Sequence, residues 1–308
     1  MFDVIENMLQ ATVRLSTPFI LAAMGGIFSD KAGVSSIELE SYLLIGAFSG
    51  FTGAYFTGSL FLGVLIACVV TAACSLIYGY LVVGLGCRSA VVGMAMILFA
   101  TGATNYFNRA IFGTAQGVVR IDSFQTIRIP VLSQIPVIGP ILFQQNILVY
   151  LAFLLVLLTW LFFKKLYVGL EWRAAGENPF ASDTVGIPVR RIRYLGVLMT
   201  GAIAAIAGAY LSMASSNVFV EKMSSEKGYA AFSIIILGKY HPVGAMFGCL
   251  LFGFADALQL NMQALGVEIP NQFLLMLPYL FTLVVLFISG KGRAPEGHNK
   301  YFQKGMNV

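Results

Sequence analysis

Long apolar runs separated by short polar breaks dominate the chain, and they predict nine helices. These fall at about 8–28, 39–57, 59–83, 89–108, 145–163, 194–214, 228–239, 242–262 and 270–289. Eight approach or reach the roughly 20 residues that cross a hydrocarbon layer. The run at 228–239 is shorter and is expected to be a broken or re-entrant piece, because backbone groups in lipid must find partners inside the protein. A polar island at 164–193 separates two of the runs and carries start and stop signals for one short helix. Asn178 is placed to cap it, Pro179 stands at the first helical position, and Gly186 and Pro188 end it. That leaves roughly seven residues, about 10 Å of helix. Phe180 and Thr184 fall one turn apart beside Ala181 and Val185, while Glu177, Ser182 and Asp183 stay polar. The pattern is that of a docking knob. At 109–143, Pro130, Pro136 and Pro140 among β-branched residues predict irregular or interfacial structure.

Composition identifies the apolar runs as membrane spans. Hydrophobic residues make up 58% of 308 positions and charged ones 11%, with a mean hydropathy of +0.84, far from a water-soluble globule. The fold class is therefore all-α: one polytopic domain over 1–308, embedded in the lipid bilayer. The net charge of +5 does not indicate nucleic acid, since the cations gather at the ends of apolar runs. With the 164–193 loop taken as cytoplasmic, thirteen of the 19 Lys and Arg lie on its side. The other six are Arg14, Arg109, Arg120, Arg128, Lys222 and Lys227. This bias predicts an outside N-terminus, an inside C-terminus and an extracytoplasmic 109–143 loop in the cell membrane. The mildly acidic start, with Asp3 and Glu6, lacks the basic region of a cleaved signal peptide, so the first span is expected to be retained. Cys68, Cys74, Cys87 and Cys249 show no metal spacing and read as small core residues.

The chemical inventory speaks against an enzyme. His241 and His298 are the only histidines, neither with a sequence partner at metal or triad spacing, and there is no Walker loop, nucleophile elbow or HExxH. No cofactor or metal is implied for this chain. If transport is active, its energy comes from a separate subunit or from an ion gradient, for which Asp256 or Glu40 would be the titrating group. A carboxylate at a span centre costs roughly 2.5–3.5 kcal/mol, so Asp256 needs an interior partner or water. Gln259, Gln263 and Asn261 continue its polar side. Glu38 and Glu40 stand at the entrance of the second span, and Thr101, Thr104, Asn105 and Asn108 on one face of the fourth. Glu40, Thr101, Asn105, Asp256 and Gln259 are the candidate pathway residues: neutral to acidic, without a fixed cation, and suited to an uncharged or polyhydroxylated solute. Each also reads as interhelical glue.

Ser29–Val34 echoes Ser182–Ile187, and Gly46-Ala47 with Gly53-Ala54-Tyr55 echoes Gly201-Ala202 with Gly208-Ala209-Tyr210. Offsets of 153 and 155 and a common direction of entry predict a parallel internal repeat, with a site at the repeat interface.

Three stretches resemble one family. The run Gly25–Phe48, the loop Arg173–Ile187 with its Gly-Glu-Asn-Pro, and Gly228–Ala245 are similar, in this order, to motifs of ABC importer permeases for simple sugars, nucleosides and branched-chain amino acids. The length and the Gly-Glu-Asn-Pro form are most similar to nucleoside-type permeases. The chain departs at Ser36, Glu38 and Ser41, where Asn, Gly and Gly are usual, and at Ile97, where Asn is common. The resemblance implies a permease subunit that pairs with a second permease chain, homologous or identical, as a homodimer or as a heterodimer with a diverged sister, and works with an extracytoplasmic solute-binding lipoprotein. ABC ATPases would bind ATP and Mg and engage the loop at 164–193. Arg173, Glu177, Asn178, Pro179, Phe180, Asp183 and Gly186 then belong to the ATPase-coupling segment, with Phe180 as the side chain entering the ATPase groove.

Overall fold

The computed structural model describes residues 2–113, 119–128, 138–264, scattered positions between 273 and 287, and 294–302. Helices form at eight of the nine apolar runs. They are α1 (Phe2–Lys31), α2 (Leu39–Thr57), α3 (Leu60–Gly79), α4 (Ser89–Phe112), α6 (Ile147–Lys165), α9 (Val189–Tyr210), α10 (Lys227–Leu237) and α11 (Pro242–Ala264). Most of the expected span at 270–289 lies outside the described residues. Six of the helices, α2 and α10 excepted, are long and apolar enough to cross a membrane. The polar island forms α7 (Tyr167–Glu177) and α8 (Pro179–Thr184).

Among the described residues of 109–143, those at 119–125 are irregular, as the prolines predict, but two short elements also form. A short helix α5 (Ile138–Phe143) leads into a two-stranded antiparallel ladder in which β1 (Thr126–Arg128) pairs with β2 (Gln144–Asn146). Pro140 falls within the first turn of α5, where the missing N–H has no intrahelical partner to lose.

Three helices form the centre. α1, α2 and α9 are buried along most of their length, whereas α3, α4 and α6 turn Leu65, Val69, Leu98 and Leu157 outward, as lipid-facing helices do. The helices that carry the sequence echo, α2 and α9, touch directly and run the same way, with Gly46 against Ala205 and Gly50 against Ala209. At Gly208 an added Cβ would stand 2.2 Å from the Leu43 carbonyl oxygen, so only glycine permits this approach.

α1 contains Pro18, which has no N–H to offer the Arg14 carbonyl one turn back. That carbonyl instead accepts the Tyr210 hydroxyl of α9 at 3.0 Å. A neighbouring helix thus pairs the group that proline frees.

The bundle has two distinct ends. One gathers the end of α1, the start of α9, α7, α8 and residues 294–302. The other gathers the start of α1, the β ladder and the end of α4: Gln10 donates to the Pro140 carbonyl at 3.2 Å and Arg14 Nε to Gln145 at 3.2 Å.

Candidate functional site

The polar island is held against the end of α1. Trp172, buried on α7, donates its indole N–H to the Phe28 carbonyl at 2.9 Å and meets the Phe28 and Phe162 rings edge-on. Gly176 is the point of closest approach, where a Cβ would stand 2.1 Å from the Lys31 carbonyl oxygen. The chain then turns at Asn178, whose side-chain oxygen accepts from the Ala181 N–H at 3.0 Å. Pro179 is the first helical residue, and six residues follow this cap rather than seven. Gly186 ends the turn at φ +87°, a conformation that favours glycine. The capped knob therefore forms as its sequence predicts.

Its orientation was not predictable. Phe180 is half-buried and packs edge-on against Phe302, 5.4 Å between ring centres. The outermost side chains are Ala181, Thr184 and Val185, the last 75% exposed. Arg173 and Glu177 are also exposed, and Asp183 is half-buried.

Residues 294–302 act as a strap across this end. Buried Arg193 donates to the Lys300 carbonyl at 2.8 Å and to the Gly297 carbonyl at 3.3 Å. Gly297 N–H donates to the Gly176 carbonyl at 3.0 Å and Asn299 N–H to the Gly33 carbonyl at 2.9 Å. The Asn299 side-chain oxygen accepts from Ser35 N–H and from the Ser89 hydroxyl. His298 Nε2 lies 3.1 Å from Asp30, which also accepts from Ser36. His241, in the turn between α10 and α11, is held below the usual histidine range by partial burial and then by the cations Lys31 and Lys164. This end is thus basic, and that imidazole stays neutral near pH 7.

The candidate pathway residues fall in three places. Asp256 and Gln259 share a cleft of about 270 Å³ with Lys227, walled by Leu15, Phe19 and Phe252. The interior partner that Asp256 requires is Lys227, whose Nζ is 3.6 Å from its carboxylate and 5.1 Å from the centre of the Phe19 ring. The cleft therefore does contain a cation, contrary to expectation. Lys227 directly precedes the apolar run at 228–239, but only the fold shows that this run starts at depth. Thr101 and Asn105 lie on α4, which packs on α2 and α3, away from the contacts of α11 with α1, α6 and α10. Thr101 donates to the Ile97 carbonyl at 2.8 Å. Glu40 faces neither group, since its carboxylate is taken up by the start of α10. Glu38 is fully buried beside Tyr42 and Tyr78. Among the described residues no cluster of His, Cys, Asp or Glu forms a metal site.

The family described as "Branched-chain amino acid transport system / permease component" matches residues 8–289. The chain belongs to this family. Its relatives include the guanosine ABC transporter permease protein NupQ of Bacillus subtilis, 34% identical, with 98% of each chain covered. The nucleoside ABC transporter permease protein NupC of Lactococcus lactis is 35% identical over 91% of this chain and 92% of its own. The putative glucose ABC transporter permease protein TsgC13 of Haloferax volcanii is 32% identical over 91% and 90%. The chain is thus a multi-pass ABC importer permease and not an enzyme, and it carries no cofactor of its own. That membership decides between the two energy sources in favour of a separate ATPase.

Two features of this permease had no usable signal in its sequence. Arg193 counted only as a membrane-end cation, because its acceptors are backbone carbonyls more than a hundred positions away. Residues 294–302 are polar and short, and nothing in them marks a strap.

Proposed function

We propose that this permease is one half of the membrane channel of an ATP-driven nucleoside importer. The observation that carries the reading is its full-length likeness to a relative named for guanosine. The second half is another permease chain, identical or diverged. An ABC ATPase binding ATP and Mg engages the exposed side of α8 at Ala181, Thr184 and Val185, with Phe180 bracing the knob from behind. Arg173, Glu177 and Asp183 frame that contact, and Asn178, Pro179 and Gly186 keep the knob rigid. A solute-binding lipoprotein delivers ligand at the opposite end, where the N-terminus faces outward, and the C-terminal strap is cytoplasmic.

The solute passes Thr101, Asn105, Asp256 and Gln259. Pairing of Asp256 with Lys227 offsets charge in the cleft, which favours an uncharged, hydrogen-bonding solute, and the flanking Phe19 and Phe252 suit the face of a base. A simple sugar is the second reading, supported by the putative glucose relative.

Proteoliposomes holding the permease, its ATPase and its binding protein decide between them. ATP-dependent accumulation of labelled guanosine, unaffected by excess glucose, is the expected result; accumulation of glucose alone overturns the nucleoside reading. The cap gives a further prediction. Asn178→Ala removes one hydrogen bond at the start of α8 and costs about 1 kcal/mol, so the ATPase should be retained about fivefold less tightly in co-purification. Asn178→Asp, which also caps, should retain it normally.

A further inference from the structure

α10 is too short to cross the bilayer. Its 11 residues span about 16 Å, against about 30 Å of hydrocarbon, and it begins inside the bundle. The chain enters from the end of α4, where Glu221 pairs with Arg109 at 2.9 Å. Phe219 lies against Phe48 and Phe51 of α2, yet Ser224, Glu226 and Gly228 sit at Glu40. Between Phe48 and Glu40, α2 descends about 12 Å. Residues 217–227 therefore dive along α2 to start a half-helix at depth.

This segment is strained, and Glu40 gathers its deep end. Asn217, Lys222, Ser225 and Glu226 all have φ between +46° and +64°, a region that costs non-glycine residues energy. Glu40, 5% exposed, accepts from the Gly228 N–H at 2.8 Å, from the Glu226 N–H at 3.2 Å and from the Ser224 hydroxyl. Its negative charge meets the positive end of the α10 dipole. Fit is equally close, since a Cβ on Gly228 would lie 2.3 Å from the Glu40 backbone nitrogen.

The other side of Glu40 leads to the coupling end. Glu40 follows the turn at 32–38, which packs on Gly176 at Ala32 and Gly33 and is tied to the strap at Gly33 and Ser35. One carboxylate thus joins the segment that receives the ATPase to the segment that dives from the opposite end.

We infer that Glu40 is a positioning residue for transport: it latches the re-entrant segment 217–227 and carries movement of the α7–α8 corner to it. This rests on the proposed coupling role of α8. Glu40→Gln keeps the shape, but it turns an N–H toward a cluster of donors and removes the charge.

The test uses Met223→Cys, half-buried within the segment, in a background with Cys68, Cys74, Cys87 and Cys249 replaced by serine. A membrane-impermeant maleimide is the probe. In the permease alone, Glu40→Gln should speed labelling at least about tenfold, and Ser224→Ala, which removes one bond of three, should speed it less. Equal rates in all three overturn the latch. In the complex with the ATPase, vanadate trapping should change labelling at least threefold when Glu40 is present and not in Glu40→Gln. A nucleotide response that survives in Glu40→Gln, or is absent in both although the ATPase is bound, overturns the linkage. If no ATPase can be recovered with the permease, the coupling role of α8 falls instead, and the labelling rates of the permease alone still decide the latch.

Discussion

Gly176→Ala is expected to reduce ATP-dependent uptake about tenfold or more while leaving permease in the membrane at normal levels. A methyl group there would stand 2.1 Å from the Lys31 carbonyl oxygen, and a backbone oxygen cannot swing away as the end of a side chain can. Either α7 lifts from α1 or the end of α1 shifts. Overpacking of this kind costs about 1–3 kcal/mol, enough to favour the displaced arrangement by a factor of ten. The loss is centred on this corner, where Ala32 lies against both Gly176 and Gly196 of α9. Gly102→Ala is the control: nothing lies within 4 Å of that position, so uptake and expression should both match the parent. Uptake by Gly176→Ala equal to that of the control would show that the corner is not under mechanical constraint.

Arg193→Ala should release the strap and lower uptake by a similar factor. Its guanidinium makes two hydrogen bonds to carbonyls of residues 297 and 300, and charge-assisted bonds contribute about 1.5–3 kcal/mol each. Arg193→Lys should not rescue, because a single ammonium lacks the fork that spans both acceptors. Limited proteolysis checks the cause: the variant should be cut after residue 294 much faster than the parent. Removing residues 295 onward should lower uptake to the same level, and combining the two changes should do no more, since both act through one contact. Additive losses would mean that Arg193 acts elsewhere.

Both predictions concern the end proposed to couple to the ATPase, and the legibility of the elements differs for a physical reason. α2 begins and ends within the bounds predicted from hydropathy, Leu39–Thr57, because a glutamate pair and Gly58 mark its ends locally. α8 was equally plain, as Asn178, Pro179 and Gly186 act on backbone groups within a few residues. Asp256 announced its need for a partner, since an ion in lipid is costly, but which cation met that need depended on where α10 starts. Glu40 read as an inexpensive residue at a helix entrance. In fact the turn at 32–38 folds back, so the entrance is deep and the carboxylate is satisfied by backbone N–H groups that any sequence supplies. Phe180 shows the converse: an aromatic ring on an apparently free knob reads as a probe for a partner, and in this chain it packs on Phe302, a contact with no mark in the local sequence. Periodicity reports burial along a helix, while tertiary pairing to backbone atoms leaves no mark in residue type.

The strap has a consequence for biogenesis. The surface around α8 combines residues near position 33 with residues near position 299, so it cannot exist while the ribosome is still extending the chain. A nascent chain, already threaded into the bilayer, cannot complete the α8 surface proposed to seat the ATPase until position 302 has been added. Late closure of this kind makes the joining of residues 294–302 to the ends of α1 and α7 a late step in completing this end of the bundle.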